Sequence, residues 1–310
     1  MSELLDTIIV GGGVTGFSAA MYAGRLKLNT LVISAIRGGT IILTNDVANW
    51  PGIKKTDGIT LAKQIEEHAL DYPGVNVKDG KVEKVEKKKS IFEITTEDNE
   101  KFQSKTVIFA TGTEWRKLNI PGEKEYSGNG VHYCALCDGY AYKGKTIAVI
   151  GGADSAAKEA ILLTQWASKV YIIYRGEEIR PEPVNMVRVE NKIKEGKIEI
   201  INNTNLVEIK GDGKRVTHAI LDVAYKRNKE FKIDGIFVEI GHLPQSQLAK
   251  SLGVKTDGKG DVIIDRDAKT NIEGAFAAGD VVNTKFKQAI TGSAEGVLAA
   301  YSAYEYIKNG

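Results

Sequence analysis

The chain has 310 residues, enough for two domains of roughly 100–200 residues each. It is 42% hydrophobic and 26% charged, an ordinary make-up for a globular enzyme. Lys and Arg number 42 against 40 acidic residues, and a net charge of +2 predicts neither nucleic acid nor a membrane surface as partner.

The N-terminal stretch MSELLDTIIV has no basic region and no cleavage site, so no signal peptide is expected. Residues 7–24 are uncharged and about as long as a marginal membrane span. Five glycines with Thr and Ser interrupt that run, and a strand, a turn and a helix account for it better: DTIIV, GGGVTG, then FSAAMYAG. Gly11, Gly13 and Gly16 stand in GxGxxG spacing between strand and helix. The first permits the tight turn, the second lets backbone approach a pyrophosphate, and the third lets helix and strand pack closely. The phosphate then sits on the free N–H groups of the helix start. An NAD site usually carries an acid about twenty residues further on. Here Ile33 and Ser34 occupy that place, inside a second strand, NTLVIS (29–34), which weighs against NAD and is neutral for FAD.

The Lys-rich VEKVEKKK (82–89) reads as the solvated face of a β-hairpin. It continues through SIFEITTE and KFQSKTVIFATG as alternating strands ending in another glycine turn. A domain crossing is expected near Arg116–Pro121.

Cys134 and Cys137 form CALC, followed by Asp138 and Gly139. A thiol at a helix start gains from unpaired N–H groups, which lower its pKa in CxxC motifs. Asp138 can donate or accept a proton beside the leaving thiolate. A structural zinc site needs four ligands, and the count falls short even with His132, so no metal is expected. A structural disulfide closing so small a loop would constrain little of the unfolded chain. Two inert buried cysteines remain the other alternative to redox work, which the spacing favours. With two cysteines in all and no export signal, the expected compartment is the reducing cytoplasm.

The βα pattern then recurs as TIAVI, GGADSA and AKEAILL (146–163), followed by the strand KVYIIYR (169–175). Gly151 is present, but Ala153 and Ala156 take the other two glycine places, so a turn packed for structural reasons alone competes with nucleotide binding. A hairpin-and-strand set runs from IEIINNTNLVEIKGDG to IDGIFVEIG, with a second crossing near Gly241–Pro244. DVIIDRDAKTNIEGAFAAGDV (261–281) reads as strand-rich and QAITGSAEGVLAAYSAYEYI (288–307) as a helix. The fold class is therefore α/β, with two Rossmann-like (three-layer ββα) nucleotide-binding domains, the second inserted into the first. The first spans 1–116 and 245–310, the second 117–244.

In motif order the whole chain resembles the low-molecular-weight thioredoxin reductases. The matching stretches are GGGVTG (11–16), RGGT (37–40), NWPG (49–52), ATGTEWRKLNIPGE (110–123), YCALCDG (133–139), GGADSA (151–156), AAGDV (277–281) and KQA (287–289). The resemblance implies a homodimer in which the discontinuous domain binds FAD and the inserted one, carrying the CxxC, binds a pyridine nucleotide. It places Gly11, Gly13 and Gly16 at the FAD pyrophosphate, Asn49 at the flavin, Asp280 at the ribityl chain, and Gln288 and Ala289 along the isoalloxazine edge. Gly38, Gly39, Thr40, Thr111, Gly112, Gly279 and Lys287 fall in the same FAD site. Gly151, Asp154, Ser155, Arg175 and Arg180 fall at the nucleotide. The resemblance further implies that Cys137 faces the flavin, Cys134 attacks the disulfide of thioredoxin or a thioredoxin-like protein, Asp138 is the acid, and a domain rotation alternates the two encounters.

The chain departs from the family pattern in four places. Thr40 replaces a Gln, Lys287 replaces an Arg and so loses the planar fork, Ala153 replaces a Gly, and HRRxxxR becomes YRGEEIR (174–180). A hydrogen bond to a charged group contributes roughly 1.5–3 kcal/mol. Loss of one Arg contact to the 2′-phosphate therefore weakens NADPH by about ten- to a hundredfold. Three donors stay open: NADPH held by Arg175 and Arg180, NADH with Glu177 on the ribose, and a non-pyridine donor such as reduced ferredoxin or a deazaflavin. A non-catalytic flavin-binding redox sensor is the rival function.

Overall fold

The computed structural model describes residues 4–44 and 47–309. It divides into two compact units, Met1–Glu114 with Leu243–Gly310, and Trp115–His242.

The first unit is built on a seven-stranded sheet. Val75–Asp79, Thr30–Ser34, Leu4–Val10 and Lys101–Phe109 run parallel in that order. Ala275–Ala277 adds in parallel to the last half of Lys101–Phe109. The hairpin Val82–Lys88 and Ile91–Thr96 adds antiparallel to its first half. Side chains alternate across a strand, so a strand covered on both faces must be apolar throughout. Ile9, Val32 and Ile108 point to one face, where they pack against the alanines of the helices Val14–Arg25 and Ala289–Asn309. Ile8, Val10, Ile33, Val107 and Phe109 point to the other, against the hairpin and residues 249–282.

Small residues set the closeness of the two helices. A Cβ on Gly296 would lie 2.4 Å from the carbonyl oxygen of Thr15, so only glycine admits the contact. The run 261–281 is less strand-rich than its sequence suggests. Among the described residues it holds one strand, Ala275–Ala277, with isolated bridges at Val262 and Lys269. Turns such as the one Asp265 makes, accepting from the backbone N–H groups of Asp267 and Lys269, divert the remainder from a ladder.

The inserted unit has a parallel five-stranded sheet in the order Ile198–Ile201, Lys169–Ile173, Thr146–Ile150, Gly235–Val238, Val131–His132. One face carries the helices Asp154–Leu163 and Pro183–Lys194. The other packs on a three-stranded antiparallel sheet, Leu206–Gly211, Val216–Tyr225 and Asn228–Lys232. The layers are thus sheet, sheet and helices. No described helix is long and apolar enough to cross a membrane.

Candidate active site

In the first unit the glycine turn follows directly from the strand Leu4–Val10. Gly11 has φ +114°, and a Cβ there would lie 2.2 Å from the Ala110 carbonyl oxygen. A Cβ on Gly16 would meet the Gly11 carbonyl at 1.9 Å, so the helix can start only against a bare backbone. Gly13 caps the helix without a side-chain hydrogen bond, and no acid occupies the first turn. The helix start therefore keeps unsatisfied N–H groups and the positive end of its dipole. The RGGT turn closes beside it: the Gly38 N–H donates to the Gly12 carbonyl at 2.8 Å, and a Cβ on Gly39 would stand 2.9 Å from the Gly13 Cα. Two glycine backbones lying that close form a cradle which any side chain would fill.

Other residues expected at the FAD gather in the same unit. The Asn49 amide donates to Gln288 Oε1 at 2.9 Å. Thr111 Oγ1 donates to the Gln245 carbonyl at 2.6 Å, and Gly112 has φ +64° with open space where a Cβ would be. Gly279, φ +80°, donates its N–H to Glu295 Oε2 at 2.8 Å, which fixes the turn bearing Asp280. Lys287 Nζ bonds Asp261 Oδ1 at 2.6 Å and the Asp280 carbonyl at 2.8 Å, tying that turn to the start of the last helix. Thr40 lies in the short 3-10 turn Gly39–Leu43, and Ala289 opens the helix Ala289–Asn309. The uncapped helix start and the glycine cradle fit a dinucleotide pyrophosphate.

In the inserted unit Cys134 and Cys137 are joined as a disulfide, with Cα atoms 5.4 Å apart. Cys134 caps the single helical turn Ala135–Asp138, and its Sγ accepts the Cys137 N–H at 3.1 Å. The sulfur thus accepts a backbone donor of a helix start, a placement that favours a thiolate. Cys134 is buried and Cys137 exposed. The Ala135 N–H donates to Glu159 Oε2 at 2.5 Å, tying this turn to the helix Asp154–Leu163. Asp138 Oδ2 meets His132 Nδ1 at 3.1 Å, and His132 Nε2 meets the Tyr142 hydroxyl at 2.7 Å. Burial pulls the His132 pKa down against the opposing pull of Asp138. Burial first, then the charges of Asp138 and Asp234, push Tyr142 up to about 12.

The second glycine turn also follows its strand. Gly151 has φ +150° and abuts the Glu239 carbonyl, and Ala153 caps the next helix without a side-chain hydrogen bond. Asp154 does something the sequence did not show: its Oδ1 accepts from the Glu182 N–H and the Asn185 amide, both at 2.8 Å. The Arg180 N–H donates to the Gly152 carbonyl at 2.6 Å, and its guanidinium bonds the Tyr174 hydroxyl at 2.9 Å. The Tyr174 ring lies over Gly152, where a Cβ would come within 2.3 Å of it. Ser155 and Arg175 are exposed. The uncapped helix start suits a nucleotide pyrophosphate; of the two arginines expected there, Arg180 is bonded to Tyr174 and Arg175 is exposed to meet a further phosphate.

Sequence reasoning did not find the buried carboxyls. Glu239, 7% exposed, is pushed up to about 9 by burial and then by Glu159. Glu159 is pushed up to about 7 by burial, opposed by its bond from Ala135. Glu123 receives the N–H groups of Leu118 and Asn119 and the Tyr133 hydroxyl. No local motif marks a carboxyl that tertiary packing buries. Among the described residues no cluster of side chains could hold a metal.

Two Rossmann-like domains, one with an open phosphate cradle and one with a helix-capping dithiol, define a dinucleotide-dependent disulfide oxidoreductase. The family model described as pyridine nucleotide-disulphide oxidoreductase matches residues 5–296. The thioredoxin reductase of Bacillus subtilis is 36% identical over 99% of this chain and 97% of its own length. That of Listeria monocytogenes is 35% identical over 99% and 95%. Among solved structures, Lactococcus lactis thioredoxin reductase matches with a TM-score of 0.93 at 36% identity, covering 99% of this chain and 100% of that one. Thioredoxin reductase from T. acidophilum matches at 0.89 and 34%, covering 97% and 98%. The chain therefore belongs to the pyridine nucleotide-disulphide oxidoreductases and, within them, to the thioredoxin reductase family. It is a flavin-dependent disulfide oxidoreductase, of a family that uses FAD and NADPH.

Proposed function

We propose that the chain carries electrons from NADPH through FAD to the Cys134–Cys137 disulfide, and from the resulting dithiol to thioredoxin or a thioredoxin-like protein. The observation that carries the reading is the Cys pair at a helix start, in a chain whose other unit holds a bare glycine cradle. In this reading Met1–Glu114 with Leu243–Gly310 binds FAD, and Trp115–His242 binds the nucleotide and presents the dithiol. FAD, when bound, supplies a two-electron acceptor that hands its electrons to a disulfide. The uncapped start of the helix Val14–Arg25 binds its pyrophosphate, and the Asn49–Gln288 pair and the Gly279–Asp280 turn position the remainder.

Cys134 then attacks the partner's disulfide, one partner thiolate leaves, and Cys137 attacks Cys134 to release the second. Two electrons leave the dithiol as its disulfide re-forms, and two protons accompany them to the partner. Asp138 is the acid that serves the outgoing thiolate. Because Cys134 is buried and Cys137 exposed, attack by Cys134 needs a rearrangement that uncovers it. A homodimer in the cytoplasm completes the reading.

The test is direct. Purified protein should be yellow, and NADPH under argon should bleach it. Cys137→Ser should leave the flavin reducible and abolish thioredoxin reduction; full turnover in that variant would sink the reading. Reduced ferredoxin and a reduced deazaflavin, tried beside NADPH and NADH, identify the donor, because Gly176, Glu177 and the Arg180–Tyr174 bond leave the 2′-phosphate few partners. Bleaching by ferredoxin with none by NADPH would move the assignment to a non-pyridine donor.

A further inference from the structure

The dithiol has a buried partner that the proposed cycle does not yet use. His132 ends the strand Val131–His132, is 7% exposed, and is packed edge-on by Tyr142 and flat against Phe237. Both ring nitrogens are engaged, Nδ1 with Asp138 Oδ2 at 3.1 Å and Nε2 with the Tyr142 hydroxyl at 2.7 Å. Tyr142 is itself buried, so the chain Asp138–His132–Tyr142 runs inward from the residue beside Cys137. A surface histidine placed by chance would not have two buried rings in contact and a partner at each nitrogen.

The tautomer follows from the partners. Tyr142 keeps its proton throughout the neutral range, because burial and two nearby carboxylates oppose its ionisation. The Asp138 carboxylate can only accept, so the neutral ring carries its hydrogen on Nδ1 and donates it there, and the Tyr142 hydroxyl donates to the bare Nε2. An added proton makes an imidazolium, and the Tyr142 hydroxyl then turns to accept. Burial disfavours that cation, whereas Asp138 favours it, so the extra proton is held weakly and given up readily. The other charged groups around this element are Asp234, which acts on Tyr142, and Glu159, which is bonded to the Ala135 N–H; Phe237 contributes none.

We propose that His132 is a positioning residue of the dithiol–disulfide exchange: it fixes the Asp138 carboxylate one residue from Cys137 and shares with it the proton that the exchange relocates. The proposal rests on Asp138 being the acid. As Cys137 becomes the attacking thiolate its proton passes to the Asp138–His132 pair. The Cys137–Cys134 bond forms, the Cys134–partner bond breaks, and the pair returns its proton to the outgoing partner thiolate. Electrons flow from the dithiol to the partner, and the pair ends as it began.

The experiment exploits leaving groups. Holoenzyme reduced by two electrons with dithionite is mixed in stopped flow with either thioredoxin, whose alkyl thiolate needs a proton to leave, or 5,5′-dithiobis(2-nitrobenzoate), whose aromatic thiolate leaves bare. The variants are His132→Asn, Tyr142→Phe and Asp138→Asn, across pH 5.5–9. General acid–base catalysis contributes roughly 10²–10⁴-fold. His132→Asn should therefore lower the ratio of the thioredoxin rate to the aromatic rate by about tenfold or more, and flatten its pH profile. Tyr142→Phe, which keeps the ring packing, should lower the same ratio less. Equal losses on both disulfides in His132→Asn would mean a structural role only and overturn the proposal. A lowered ratio in Asp138→Asn with none in His132→Asn and Tyr142→Phe would overturn it while leaving Asp138 as the acid. No change of ratio in any variant would remove both. Should His132→Asn fail to fold, the Tyr142→Phe ratio decides by itself.

Discussion

Replacing Glu239 by Gln should stabilise this protein, and by an amount that depends on pH. The carboxyl is 7% exposed on the strand side of the second glycine turn, with Glu159 as its charged neighbour. Burial and that neighbour push its pKa from 4.5 to about 9. Below about pH 4.5 both folded and unfolded chains hold this proton, and the group costs nothing. Between about pH 4.5 and 9 the unfolded chain releases the proton and the folded chain does not, so stability falls as pH rises. The fall is about 1.4 kcal/mol per pH unit and levels off above the folded pKa. At pH 7 the accumulated cost is about 3 kcal/mol, a large share of a typical 5–15 kcal/mol total. Gln has nearly the same shape as a protonated Glu and cannot ionise.

Urea unfolding of the holoprotein, followed by tryptophan fluorescence at pH 5, 6, 7 and 8, measures the difference between variant and parent. Trp115 and Trp166 both lie in the inserted unit and report on it. The gain should be small at pH 5 and grow by about 1.4 kcal/mol for each pH unit. Glu159 is present in both proteins, so only its interaction with Glu239 enters the difference. A gain independent of pH, or a loss at pH 8, would show that Glu239 is ionised in the folded protein and would refute the reasoning.

Three further outcomes are expected. Gly39→Ala adds a methyl 2.9 Å from the Gly13 Cα at φ +64°, and should cost about 1.4 kcal/mol or more of FAD affinity, tenfold in Kd, measured by flavin fluorescence on titration. Glu295→Ala removes the acceptor of the Gly279 N–H, and should lower retained flavin, read as the ratio of visible to ultraviolet absorbance, while far-UV circular dichroism stays unchanged. The pair Tyr174→His with Gly176→Arg rebuilds the family's phosphate clamp, and should raise kcat/KM for NADPH about ten- to a hundredfold while leaving NADH little changed. Gly176→Arg alone should gain less, because its Cβ would come 2.7 Å from the Tyr174 ring.

How much of this was legible beforehand differs between elements. The two βα turns were readable because they depend on local chemistry: a glycine where φ is positive, an apolar strand before it, a small-residue helix after it. The CxxC was readable because two residues between sulfurs set their reach whatever surrounds them. The strand content of 261–281 was overestimated, since Asp and Thr side chains there bond their own backbone and divert it from a ladder.

Sequence by itself determined the fold class, the glycine turn after the first strand and the close cysteine pair, all properties of neighbours in the chain. The tertiary structure alone decided what groups far apart along it do to one another. It engaged Asp154 with Glu182 and Asn185, laid Tyr174 across Gly152, brought Glu239 beside Glu159, and set His132 between Asp138 and Tyr142. The reason is physical. The charge state of a carboxyl or an imidazole is set by desolvation and by partners within a few ångströms, and neither has a signature in residue order.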